Sequence, residues 1–230
     1  MSENFPGFPN DTLEFLDELR DNNTRLWFNE NKSRYEASVL EPSLHLIRCL
    51  EKPLSKASPF LDVVAKKVGG SLMRIYKDTR FSTDKTPYKT NIGIQFRHAA
   101  GKNVHAPGIY VHIEPSNCFV GAGVWRPDST AINSIRSYIE HNESAWKRAV
   151  EKRPFSTQFT LYDDRLKSAP RGYAKDHSMI MYLRLKSFLG MASLSREQIE
   201  SDELIQAIPA LVRAARPLMV TLCEALELPY

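Results

Sequence analysis

The sequence is poor in cysteine and glycine and has no long apolar run, and each shortage narrows what the chain can be. Its 230 residues hold 3 cysteines. Cys49, Cys118 and Cys223 are far apart, odd in number and without CxxC or Cys/His ligand spacing, which argues against a disulfide framework and against a cysteine-based metal site. They read as small buried hydrophobes. With only 10 glycines, 42% hydrophobic and 25% charged residues, the composition is neither fibrous nor disordered. No stretch approaches the roughly 20 apolar residues a membrane span requires, and the first ten residues lack the basic-then-apolar order of a signal peptide. The expectation is a soluble, cytoplasmic protein with no membrane partner. P-loop, GxGxxG, GxSxG, HExxH and kinase signatures are all missing, so no familiar mechanism follows. No metal or other cofactor is called for, and whether the chain is an enzyme is left open.

What is present is enough chain to bury a sizeable core without a disulfide or metal. The net charge of +4 conceals an uneven distribution. Residues 60–105 carry nine Lys/Arg against three Asp, and residues 165–186 carry six against one, so the remainder is acidic. Two basic segments against an acidic background favour an anionic partner, the alternative being two solvated loops.

The first third reads as helical. Leu13, Leu16 and Leu19 form one stripe behind a cap at Asn10, and Trp27, Phe28, Tyr35, Val39 and Leu40 begin another. Pro42 predicts a kink or a new helix, and Pro53 an end. Residues 72–76, 92–96, 109–113 and 118–124 alternate β-branched and aromatic residues between turn formers and predict four strands, with 114–117 as a hairpin turn. Gly121 and Gly123 suggest a bulge or a close backbone approach. A long helix follows a cap at Asp128 or Ser129. Residues 155–162 and 179–188 predict further strands, and residues 197–226 a helix broken at Pro209 and Pro217. The predicted fold class is α+β: a central, mainly antiparallel sheet flanked by the N-terminal helices and by the long helix after the fourth strand. No linker or repeat divides it, so one domain over 1–230 is expected, helical in 10–57 and sheet-containing in 71–230.

The densest chemistry lies in residues 74–90. Arg74, Lys77, Arg80, Lys85 and Lys89, with Tyr88, Thr90 and several hydroxyls, suit phosphate or carboxylate, and Pro87 stiffens the loop. The competing reading is that Asp78 and Asp84 neutralise these cations and the segment is structural. In Tyr110-Val-His112-Ile-Glu114, a period of two puts Tyr110, His112 and Glu114 on one strand face, where Glu114 can orient His112 as an acid/base pair or simply decorate the sheet. Lys167, Arg171, Tyr173, Lys175, Arg184 and Lys186 make the second basic segment, with Arg184 and Lys186 expected on one face, able to meet the 74–90 loop around one anion. Trp125 can stack on a ligand or fill the core.

The run RIYKDTRFSTDKTPYKT (74–90) resembles the signature of the family called domain of unknown function 2461, found in bacteria and fungi. LRDNNTRLWFNENKSRYE (19–36), PGIYVHIEP (107–115), FVGAGVWRP (119–127), LKSAPRGYAKDH (166–177) and LRLKSF (183–188) match it in the same order. The resemblance implies no activity. Where the family usually carries an Arg, this chain has Lys77, which keeps the charge and loses the planar fork. The expected function is a pocket for a phosphorylated or otherwise anionic small molecule, with acid/base catalysis by His112 and Glu114 if chemistry occurs. The alternatives are a nucleic-acid-binding module using the same basic segments and a scaffold for an acidic protein.

Overall fold

In the computed structural model, residues 4–100 and 105–230 are described. Residues 1–3 of the N-terminal stretch and Lys102 of the first basic segment lie outside them.

The helical N-terminal third consists of α1 (Asn10–Asp21), α2 (Arg25–Glu30), α3 (Lys32–Tyr35), a π-helical turn (Glu36–Leu40) and α4 (Glu41–Ala57). Asn10 is the first helical residue rather than a side-chain cap. The Pro9 carbonyl accepts from the Thr12 amide at 2.9 Å. Pro42 does begin a helix, standing in the first turn of α4, where its missing N–H costs nothing. Pro53 does not end that helix. Leu50, Leu54 and Ala57 are all buried, and the packing of that face outweighs the local cost of a proline.

Among the described residues the sheet has six strands in the order β1-β2-β3-β4-β6-β5, every pairing antiparallel. They are β1 (Leu61–Asp62), β2 (Ile92–His98), β3 (Gly108–Ile113), β4 (Phe119–Val124), β5 (Thr160–Leu161) and β6 (Phe188–Ser193). One cross-strand row, Ile94–Val111–Val120–Ala192, lies wholly in the core. The next row, Gln95–Tyr110–Gly121–Met191, faces the opposite way. The hairpin turn after β3 closes through the Asn117 amide on the Glu114 carbonyl at 3.1 Å.

After β4 come α5 (Ser129–His141), capped by the Asp128 carboxylate on the Ala131 amide, and α6 (Glu143–Glu151), so the expected long helix is interrupted at Asn142. The remaining helices are α7 (Phe155–Gln158), α8 (Ile180–Leu183), α9 (Arg196–Ile199) and α10 (Leu204–Ala225). Pro209 and Pro217 do not break α10. It runs under the sheet against β4 and touches α4, α5, α6 and α7, joining both helical regions over one core.

Three expected strands differ. Residues 72–76 make only isolated bridges, Leu72 with Ile94 and Tyr76 with Tyr88, because the chain leaves the edge of β2 after Met73 and pairs back on itself. Residues 155–162 begin as α7, whose i, i+4 pair Phe155 and Phe159 is buried and stacked at 5.2 Å, before the short β5. Residues 179–188 turn through α8. The Leu183 and Leu185 carbonyls accept from the buried Arg136 guanidinium, at 2.7 and 3.2 Å, instead of from a neighbouring strand. Among the described residues no helix is long and apolar enough to cross a membrane.

Candidate functional site

Residues 74–90 fold as an irregular hairpin. The Lys77 amide donates to the Pro87 carbonyl at 2.9 Å and the Lys89 amide to the Ile75 carbonyl at 2.7 Å. Its tip is built from short-range polar turns, in which Asp84 accepts from the Thr86 amide and hydroxyl and Asp78 accepts from the Arg80 amide. Its base is fixed to the N-terminal helices. Tyr88 is buried and stacked on Phe28 at 4.0 Å, and burial raises its phenol pKa.

The cations fare unequally. Lys77 pairs with Asp84 at 2.8 Å and Arg80 with Asp78 at 2.7 Å. The Lys77 ammonium, with hydrogen bonds from Thr86, holds the Asp84 carboxyl well below its usual range. Lys85 donates to the Thr79 carbonyl at 2.9 Å. Among the described residues, no carboxylate lies within ion-pair distance of Arg25, Arg74 or Lys89. Half-buried Lys89 has its pKa lowered, first by loss of water and then by the nearby Arg74. Thr90 is half-buried where the hairpin leads into β2.

A cavity of about 610 Å3 opens between this hairpin and α2, with Arg25, Lys77, Lys85, Tyr76 and Tyr88 on its walls. Asn23, Thr24, Arg25 and Asn29 contribute to it and were not singled out from the sequence, although all four lie in the 19–36 segment that matched the family.

The second basic segment does not converge on this cavity. Arg184 donates to the Leu166 and Lys167 carbonyls at 2.7 and 3.3 Å, and Lys186 pairs with Asp164 at 2.7 Å. Tyr173 packs beside His177, and burial raises its pKa. Gly172, at φ 93°, makes the turn there. Trp125 is 51% exposed, close to Tyr162 and under the Arg126 guanidinium, so it is no core residue.

His112 and Glu114 do meet, Nε2 to Oε2 at 3.2 Å, with side-chain exposures of 15% and 31%. The other imidazole nitrogen, Nδ1, lies 3.1 Å from the Tyr110 hydroxyl and 3.3 Å from the Asn91 amide nitrogen. The ring stacks on Phe119, its partner across the β3–β4 hairpin, at 4.8 Å. The cavity at the basic hairpin includes neither His112 nor Glu114. Among the described residues no three His, Cys, Asp or Glu side chains are grouped so as to hold a metal.

An antiparallel sheet covered on one side by helices, with a basic hairpin fastened to its N-terminal helices, defines an α+β protein. The chain belongs to the family of conserved hypothetical proteins called domain of unknown function 2461, whose model matches residues 11–220. No curated protein and no solved structure matches it.

Proposed function

We propose that this protein binds a phosphorylated or otherwise anionic small molecule at the base of the 74–90 hairpin, in the cytoplasm. One observation carries the reading: Lys89, partly withdrawn from water, stands near Arg74, and among the described residues no carboxylate is within ion-pair distance of either, Asp78 acting on Arg74 only from further off. Like charges held together at the cost of hydration gain from an anion between them, and an arginine fork beside a lysine suits phosphate oxygens. Arg25, Lys77 and Lys85 line the cavity on the same hairpin, whose walls include neither Arg74 nor Lys89. No hydrogen bond or ion pair joins His112 or Glu114 to these cations among the described residues, so the reading here is of binding, and acid/base chemistry is assigned no part in it.

Isothermal titration with inorganic phosphate and pyrophosphate tests it. Saturable binding is expected, weakened about tenfold or more by Arg74→Ala or Lys89→Ala and little changed by Arg80→Ala, whose charge Asp78 already occupies. Absence of saturable binding by either anion defeats the proposal.

A nucleic-acid reading is favoured by a different observation. Phe81 is 95% exposed at the hairpin tip, with the Arg80 guanidinium 5.8 Å from its ring centre, an arrangement suited to stacking on an unpaired base. Binding of a single-stranded oligonucleotide that falls steeply with salt and is lost in Phe81→Ala would favour it over the small-anion site.

A further inference from the structure

Helices cover one face of the sheet, and the other face bears a cleft. The outward rows of β2, β3, β4 and β6 set glycines among large side chains: Gly93–His112–Phe119, Gln95–Tyr110–Gly121–Met191, and Gly108–Gly123–Leu189. Glycine opposite an aromatic residue leaves the larger ring room to lie over the strand beside it. A Cβ on Gly93 would press on the Tyr110 hydroxyl. The result is a cleft of about 550 Å3 walled by Tyr110, Phe119, Trp125, Tyr162, Met73 and Met191. That volume is ordinary for a small-molecule site. Gln95 and Asn117 supply amides at its edge, and among the described residues no Asp, Glu, Lys, Arg or His lines it; Arg126 lies over the Trp125 ring, and Arg97 and His105 line an adjoining pocket that shares Gln95, Tyr110, Trp125 and Leu189.

Beside the two amides stands the Tyr110 hydroxyl, whose hydrogen-bond role follows from the residues behind it. In the neutral His112 tautomer that places its proton on Nε2, toward Glu114, Nδ1 is an acceptor. Tyr110 then donates its O–H to Nδ1 at 3.1 Å, and Asn91 donates to the phenol oxygen at 3.4 Å. With its proton directed at His112, the Tyr110 oxygen can only accept from anything in the cleft.

We propose that this open-face cleft is a second binding site, for a flat, uncharged, ring-bearing small molecule that presents an O–H or N–H donor to the Tyr110 oxygen. Aromatic walls and two thioethers favour a planar ring by stacking and sulfur contacts. The uncharged lining disfavours an ionic ligand, which would lose its hydration without a counter-charge. The site shares no lining residue with the cavity at the basic hairpin and rests on none of its cations.

The test uses the full chain carrying 13C-methyl-labelled methionine and 2-naphthol as probe. Two of the six methionines, Met73 and Met191, line the cleft, while Met179 and Met219 are buried in the core and report its integrity. Saturable shifts of the Met73 and Met191 methyl signals are expected, with Met179 and Met219 unmoved. Folded Tyr110→Phe should bind about tenfold more weakly, and 2-methoxynaphthalene, which lacks the donor, should bind the wild type and Tyr110→Phe alike. Should Tyr110→Phe lose its core signals, Trp125→Ala, at a half-exposed position, carries the test and should lose binding at least tenfold. Shifts at all methionines alike, undiminished affinity in a folded variant, or displacement of the probe by inorganic phosphate would each overturn the proposal. So would Met73 and Met191 shifts that follow protein concentration without probe, since a second copy would then occupy the face.

Discussion

Asn23 and Tyr88, 65 positions apart, exchange two hydrogen bonds. The Asn23 side-chain amide donates to the Tyr88 carbonyl and its oxygen accepts from the Tyr88 amide, each at 3.0 Å. A side-chain amide here completes the backbone pairing that a neighbouring strand would otherwise supply, and it holds the basic hairpin on the N-terminal helices at the point where Tyr88 stacks on Phe28. Asn23→Ala leaves both backbone groups without that partner. It should lower the unfolding free energy by about 1–3 kcal/mol and speed hydrogen exchange at the Tyr88 amide. Unchanged exchange there would show that the clamp does not hold the hairpin.

Lys89 sets a pH dependence. Burial and the nearby Arg74 lower its pKa from the usual lysine value, so it gives up its proton at a lower pH than an exposed lysine does. A lysine depressed in the folded state makes the fold gain stability as pH rises through that folded value, and a bound anion opposes the shift by favouring the charged form. Phosphate affinity should therefore fall as pH rises through the folded pKa of Lys89. In Lys89→Arg, which stays charged, that fall should vanish. Titrations across the alkaline range check it, and an identical pH profile in the two proteins would remove Lys89 from the site.

A third prediction concerns α1. Arg34 donates to Asp11 at 2.5 Å and to Glu18 at 2.7 Å, and Ser38 donates to Asp11 at 2.6 Å. These hydrogen bonds, Arg34's first, hold the Asp11 carboxyl below its usual range, and Arg34 does the same for Glu18. Carboxylates depressed by folding add stability above their unfolded pKa, and the gain is lost as pH falls through the folded value. The network is partly exposed, so Arg34→Ala should cost only about 1–2 kcal/mol at neutral pH. That gap should close as pH drops below about 4. Denaturant unfolding at several pH values measures it, and a gap independent of pH would point to lost packing over the Phe15 ring instead.

Gly123 carries the fourth. Its φ of 133° suits glycine alone, and a Cβ there would run into the Phe188 carbonyl oxygen on the adjacent strand. Gly123→Ala should destabilise by about 3 kcal/mol or more, whereas Gly121→Ala, whose Cβ would make ordinary contact with Leu189, should be mild. Thermal unfolding of the two variants side by side distinguishes them.

Much of the sheet was legible because strand alternation is local. The hydrophobic positions of β2, β3 and β4 recur with a period of two, and the turn residues between β3 and β4 stand where the hairpin closes. The same alternation misled at 179–188, where apolar and polar residues alternate as in a strand. Arg136, 47 positions away from Leu183, takes the carbonyls that a strand would offer to a neighbour. Pro53 in α4 and the prolines of α10 misled for a related reason, since proline's cost is local and the burial that outweighs it comes from distant helices.

By itself the sequence determined that Tyr110, His112 and Glu114 share a face, since side-chain alternation is a property of extended backbone, and that cations crowd residues 74–90. Only the tertiary structure decided which of those cations stay unpaired. Charge neutralisation depends on distance rather than sequence neighbourhood: Asp84 reaches Lys77 and Asp78 reaches Arg80, while among the described residues no carboxylate comes within ion-pair distance of Arg74 or Lys89. The open-face cleft likewise exists only because four strands set glycines opposite aromatic rings, a register that hydrogen bonding across the sheet fixes and that no single strand contains.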